Sequence, residues 1–169
     1  MSISASLLPE LDQEMAGTRK TLERIPEDKF DYRPHEKSFN MISLATHIAN
    51  MLGWGRDTIN SDSFDVAPVG GEPYKEEPAK NVAELLEKFD KNLAGFREAL
   101  AGASDEAMMA NWSLLAGGQP IFTMPRIACI RGMILNHLIH HRAQLTVYLR
   151  MNDVPVPALY GPSADETGM

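Results

Sequence analysis

Two histidines four residues apart, His137 and His141, are the residues of this chain whose type and spacing most directly suggest chemistry. The segment around them places apolar residues at helical intervals. On an α-helix a step of four puts both imidazoles on one face, about 6 Å apart along the axis. Two imidazoles so placed can share one metal ion, each at ~2.0–2.1 Å. A third, His47, lies three residues after Leu44 and four before Met51, on the inward stripe of another segment. The plainer alternative is that these are core histidines bonded to backbone carbonyls, and for His47 alone that alternative is the stronger. For the pair it is harder to sustain. Each buried neutral imidazole has one donor and one acceptor to satisfy, and an unsatisfied one costs ~1–3 kcal/mol. The segment offers few inward polar partners, whereas a metal would take the acceptor nitrogens together. His140 lies ~100° around the helix from His141 and reads as a supporting or surface residue. His35 sits in a polar loop and reads as solvated.

Other catalytic signatures are absent. The pair brackets Leu138, Ile139 and His140, so HExxH does not occur, and there is no GxSxG elbow, P-loop or GxGxxG turn. Protease-type zinc chemistry, serine hydrolysis and nucleotide chemistry therefore have no support in the sequence.

Four long helical segments are expected to carry these residues. The first spans about Ser6–Ile25, with Leu8, Leu11, Met15, Thr18, Leu22 and Ile25 on one face, Ser6 as cap and Pro26 beyond its end. The second spans about Met41–Asn60, on Leu44, Ile48, Met51 and Leu52, with Gly53 and Gly55 weakening it by roughly 1 kcal/mol each. Residues 61–80, with three prolines and a Gly-Gly pair, form a connection long enough to suggest function; it could cross the bundle rather than turn tightly. Asn81 and Glu84 match a capping box opening the third helix, which ends at Gly102. The stretch SDEAM reads as a helical turn. NWSLLAGGQPIFTM reads as either a small β-hairpin or a loop. The fourth helix spans about Pro125–Asn152, and the proline-bearing tail VPVPALYGPSADETGM is extended or turned. The expected fold is all-α, a four-helix bundle in one domain over residues 1–169.

Composition narrows the classes of partner. The 169 residues carry 16 Lys and Arg against 23 Asp and Glu, a net charge of −7, which disfavours nucleic acid and anionic membrane as partners. The lone Cys129 excludes an intrachain disulfide and fits a reducing cytoplasm. The first residues, MSISASLLPELDQEM, do not read as a secretory signal, and no run approaches the ~20 apolar residues of a membrane span.

The stretches NHLIHHRAQLTVYLR (136–150), SLATHIANMLGW (43–54) and VPVPALYGPSADE (154–166) together resemble the DinB-like superfamily, the DinB/YfiT-type metalloenzymes rather than the polymerase that shares the name. The most specific element is N-H-x-x-H-H-R-x-Q with the Tyr-Gly-Pro-Ser tail, and the resemblance runs over essentially the whole chain. It implies a four-helix bundle of the DinB/YfiT-like type, a metal held by His47, His137 and His141, zinc or nickel as that metal, and a homodimer. Better understood relatives resemble thiol transferases that use a low-molecular-weight thiol such as bacillithiol, mycothiol or glutathione; others resemble hydrolases. Three protein ligands would leave a fourth position for water, thiol or a small-molecule substrate.

Several residues carry two readings. Arg142 could steady a substrate carboxylate or form a surface or interface ion pair. Gln144, and similarly Asn136 and Asn50, could support packing or bond the imidazoles' second nitrogens. Trp54 could wall a pocket or fill the core. Tyr160 could fold the tail over the site mouth or anchor a surface strap. Cys129 reads as an inert core thiol, the ten methionines as adaptable filler, and acidic clusters such as KEEP (75–78) as solvated surface. Two functions compete: a metal-dependent enzyme activating a thiol or water, with thiol transfer preferred on the resemblance, and a non-catalytic, metal-stabilised binding or stress-response module; a lesser third reading is a helical dimer whose histidines are structural and bind nothing.

Overall fold

In the computed structural model residues 2–167 are described. The first helix, α1 (Ile3–Leu22), is capped by Ser2, whose hydroxyl accepts from Ala5 N–H at 3.2 Å. The expected cap, Ser6, lies one turn inside, with its hydroxyl donating to Ile3 O. Helix α2 (Met41–Asn60) starts where the apolar stripe starts, because the Asn40 side chain accepts from Ser43 N–H at 3.0 Å. Helix α3 (Val82–Gly102) opens with the Asn81 side chain accepting from Glu84 N–H at 2.8 Å. The reciprocal bond of the expected capping box is displaced by one residue, since Glu84 accepts from Lys80 N–H.

Helix α1 packs against α3 and against the last helix, and α2 packs against the same two. The first two helices therefore sit diagonally across the core. The connection that crosses the core is thus residues 23–40, whereas residues 61–80 join neighbouring helices. Leu11, Met15, Leu44, Ile48, Leu52, Phe89, Phe96 and Leu145 fill the interior. At Gly55 the Phe96 ring lies so close that an added Cβ would stand 2.8 Å from it, so this glycine is a packing requirement and not merely a weak point.

The expectation of an all-α four-helix bundle is overturned by a three-stranded mixed sheet. After the short helix α4 (Asp105–Met109), strands β2 (Asn111–Ala116) and β3 (Gln119–Pro125) pair antiparallel around Gly117 and Gly118. Both glycines have positive φ, +61° and +75°, the geometry that a two-residue primed hairpin turn demands. Strand β1 (Ser63–Asp65), in the long connection, pairs parallel with β2. Its Asp65 carboxylate accepts from the backbone N–H groups of Ala67, Gly117 and Gly118, clasping the connection to the hairpin turn. Those bonds, the one from Ala67 foremost, hold the carboxyl below its ordinary value.

The last helical stretch is also not uniform. Helix α5 (Arg126–Cys129) passes into a π-helical segment (Ile130–Asn136) and then into α6 (His137–Met151). Arg126 is buried at its start, donating to Thr58 O, Ser61 O and the Asp62 carboxylate, which ties the hairpin's end to the end of α2. Among the described residues no helix is long and apolar enough to cross a membrane.

Arg142 takes neither of its expected roles. It is buried, donating to Glu14 Oε2 at 2.7 Å, Glu14 O at 2.9 Å and Thr18 Oγ1 at 3.2 Å, and to Tyr160 OH. Tyr160 in turn donates to Glu14 Oε2 at 2.7 Å. The tail is thus a strap anchored by Tyr160, reinforced by the Arg24–Glu166 and Arg150–Asp165 pairs, and it does not lie over the histidine cluster.

Candidate metal centre

His47, on the second turn of α2, meets His137 and His141, on the first two turns of α6. One nitrogen from each lies within 4.8 Å of the others. The ring centroids are 5.3 Å (His47–His137), 4.9 Å (His47–His141) and 4.6 Å (His137–His141) apart. The cluster could hold a metal ion, and the bonds made by the outer nitrogens bear on whether it is built to do so.

His47 Nδ1–H donates to Glu76 Oε2 at 2.8 Å. His137 Nδ1–H donates to the Met133 carbonyl at 3.2 Å, and His141 Nδ1–H to Gln144 Oε1 at 2.7 Å. A carboxylate and a carbonyl can only accept, so Glu76 and Met133 set the Nδ1–H tautomer on their imidazoles; Gln144 does the same with its amide oxygen turned inward. Each Nε2 then carries a lone pair directed inward. The Nε2 atoms of His137 and His141 are 2.8 Å apart. With both Nδ1 protonated this contact is lone pair against lone pair, an arrangement that a cation between them relieves. Carboxylate–histidine and carbonyl–histidine pairs of this kind orient imidazoles at metal sites. The residues present fit the group.

The π-helical segment contributes directly. The backbone N–H of His137 bonds to Ile134 O rather than to Met133 O, and the Met133 carbonyl receives the imidazole proton instead. π-Helical turns recur at functional sites, and here the turn supplies the partner of a candidate ligand.

Burial favours the neutral form of His137 and His141. Burial, reinforced by the neighbouring rings, holds His137 below its ordinary value, with the Met133 bond acting in the opposite direction. The same causes push His141 down to about 4, against its bond to Gln144. At Glu76 burial raises the carboxyl, but bonds from His47, Asn50 and Tyr74 outweigh it and hold the group below its ordinary value. Glu76 Oε1 accepts from the Asn50 amide at 3.1 Å and from the Tyr74 hydroxyl at 3.4 Å.

Beside the cluster is a cavity of about 510 Å³, into which His47 and His137 face. Trp54 forms one wall, edge-on to His47 at 5.2 Å and donating to Tyr74 OH at 3.0 Å. Phe39 stacks on His47 at 5.7 Å. Phe64 of β1, Trp112 and Leu114 of β2 and Phe122 of β3 close the far side. The sheet therefore acts as the cavity's outer wall.

The expected residues divide clearly. Gln144 bonds an imidazole directly, as anticipated, whereas Asn50 bonds Glu76 instead of an imidazole. Trp54 walls the cavity. Asn136 is exposed and is not a partner of the three imidazoles, and His140 is exposed, its ring 5.0 Å from that of His141. His35 is exposed. Cys129 is buried with its thiol pushed up by burial, and it also borders the cavity. The reading of KEEP as solvated surface fails at Glu76, which faces inward. Tyr74 and Glu76 were missed; the length of the connection carrying them was the one signal that could have pointed there.

A model of the DinB superfamily matches residues 10–145, and the chain belongs to that superfamily. Among solved structures it is similar to a DinB-like protein from Bacillus cereus, with a TM-score of 0.72 at 20% identity, covering 94% of this chain and 98% of that one. It is also similar to a DinB-like protein from Bacillus subtilis (TM-score 0.67, 18% identity, 91% and 97% covered). A DinB family member from Shewanella denitrificans gives a TM-score of 0.61 at 14% identity, with 95% and 93% covered. At these identities the likeness concerns the fold. No curated protein matches the sequence.

Proposed function

We propose that this chain is a metal-dependent enzyme in which His47, His137 and His141 hold one divalent ion, zinc or nickel, and leave a position open toward the cavity. The supporting observation is the donor set: three imidazoles whose outer nitrogens are bonded to Glu76, Met133 and Gln144 and whose inner nitrogens converge. Such an ion, when bound, supplies Lewis acidity that lowers the pKa of a thiol or a water at the open position. The chain's residues supply the rest. Glu76 and the Met133 carbonyl keep protons on the outer nitrogens. Trp54 and Phe39 pack against the His47 ring. The apolar walls exclude bulk water and confine a small electrophile. A low-molecular-weight thiol is preferred over water as the nucleophile, on the resemblance of the motifs to those of thiol transferases. A cytoplasmic homodimer belongs to the same proposal, and sedimentation equilibrium tests its stoichiometry.

The test is metal content. Untagged protein prepared without nickel resin is analysed by inductively coupled plasma mass spectrometry beside the His47→Ala, His137→Ala and His141→Ala variants. The expected result is about one ion per chain, lost in each variant, followed by turnover in thiol-transfer or hydrolysis screens. Wild-type protein that holds no metal and takes up neither zinc nor nickel overturns the proposal. Bound metal without turnover favours the non-catalytic module.

A further inference from the structure

We infer that the cavity beside the three imidazoles admits an uncharged, aromatic or alkyl substrate body and rejects an anionic one. The inference specifies the substrate class of the proposed enzyme and rests on that reading for the reacting end of the ligand alone.

Three observations carry it. The walls are aromatic and mutually braced: Trp54 lies edge-on to Tyr74 at 5.9 Å, Phe64 to Tyr74 at 5.7 Å, and Trp112 against Phe122 at 6.1 Å. The polar groups at the walls are already engaged. Trp54 Nε1–H donates to Tyr74, Trp112 Nε1–H to Ser61 Oγ, and Glu76 accepts from His47 and Asn50. Finally, no lysine or arginine lines the cavity among the described residues, while two carboxylates, Asp57 and Glu76, do. The arginines close by are already paired, Arg56 with the cavity's own Asp57 and Arg126 with Thr58 O, Ser61 O and Asp62. Away from the imidazoles, where an ion would sit, a carboxylate, sulfonate or phosphate on the substrate body would be desolvated without a partner. A volume of about 510 Å³ suits a two-ring organic molecule. A thiol cofactor bearing carboxylates would keep them outside this cavity.

The test uses two fluorescent probes sharing one ring skeleton, neutral N-phenyl-1-naphthylamine and anionic 8-anilino-1-naphthalenesulfonate, titrated into the full chain. The neutral probe is expected to bind at least ~10-fold more tightly, because the sulfonate is desolvated without a counter-charge. Phe122→Ala, or Phe64→Ala where the first variant folds poorly, should weaken the neutral probe about fivefold or more through lost apolar contact. Met109→Ala, exposed and away from the cavity, should leave it unchanged. Equal or tighter binding of the sulfonate, or indifference of the neutral probe to both phenylalanine substitutions, overturns the inference. Probe preference retained in a protein that takes up no metal sinks the enzyme reading alone, whereas a metal-loaded protein with reversed preference sinks this one alone.

Discussion

Replacing Glu76 should loosen the metal without unfolding the protein. Glu76 Oε2 accepts the His47 Nδ1–H at 2.8 Å in a half-buried setting between Phe39 and Trp54. A hydrogen bond to a charged group contributes ~1.5–3 kcal/mol. The bond exists before metal binds, so only its strengthening on ligation, as the imidazole becomes more positive, appears in the metal affinity. Loss of such partners typically costs 10–100-fold in affinity, or ~1.4–2.7 kcal/mol. Because the bond is preformed, Glu76→Ala should fall near the 10-fold end. Glu76→Gln can still accept through its amide oxygen but loses the charge, so it should fall between wild type and Glu76→Ala. The assay is competition for zinc against a chromophoric chelator at pH 7.5, with the metal-free melting temperature measured alongside. If Glu76→Ala and wild type bind zinc equally at matched stability, the carboxylate does not orient His47 and the ligand geometry argued above is wrong.

Other outcomes follow from the same structure. In metal-free protein His141 is held at about 4 against an ordinary 6.5, so between those values the unfolded chain binds more protons. Stability should therefore fall as pH drops from ~6.5 toward ~4, by at most ~3 kcal/mol from this group, and urea titration at stepped pH would show it; a flat profile would contradict a neutral buried imidazole. Arg142→Ala leaves Glu14 buried without its partner, which should cost ~3–5 kcal/mol, while Tyr160→Phe loses the strap's hydroxyl bonds for ~1–2 kcal/mol; both are read by chemical denaturation, and near-neutral effects would refute the buried network. Gly55→Ala should destabilise by ~1–3 kcal/mol through overpacking against Phe96. Gly53→Ala, whose Cβ would meet Asn92 at an ordinary 3.5 Å, should be neutral or stabilising by up to ~1 kcal/mol; equal effects of the two substitutions would refute the packing argument.

The helices were legible where local chemistry decides their ends. Asn81 and Gly102 bound α3 as read, and α2 begins at Met41 because Asn40 caps it. The α1 boundary moved because two serines compete for the cap and Ser2 takes it. The hairpin was legible as one of two readings, since Gly117-Gly118 is a strong primed-turn signal between short apolar runs. What made the all-α expectation fail was β1. Three residues, Ser63–Asp65, are too few to show an alternating pattern, and their strand character comes wholly from pairing with β2, some fifty residues on. The crossing of residues 23–40 was likewise invisible, because which helix faces which is a property of the assembled core.

At the site, histidine periodicity identified the cluster because ligand spacing on a helix is itself local. The groups that give the cluster its chemistry are not local. Glu76 lies 29 residues from His47 in a stretch without periodicity, and no spacing rule distinguishes it from its neighbour Glu77. Arg142 shows the converse error: a cation directly after the candidate ligand His141 in sequence invites a role at the site. It lies about 100° around the helix from His141, which turns it toward α1, where Glu14 and Tyr160 claim it. The π-helical turn adds a third kind of opacity. Nothing in IRGMILN marks a widened turn, yet the Met133 carbonyl that results is what holds His137 in the tautomer needed for its Nε2 to face the other two. The ligand triad can therefore be read from residue types at fixed intervals, whereas its tautomers and the cavity it faces are products of tertiary contact. Substitutions at Glu76 and in the aromatic walls probe function more sharply than further changes at the histidines, because they leave the ligands in place and alter only what the fold adds to them.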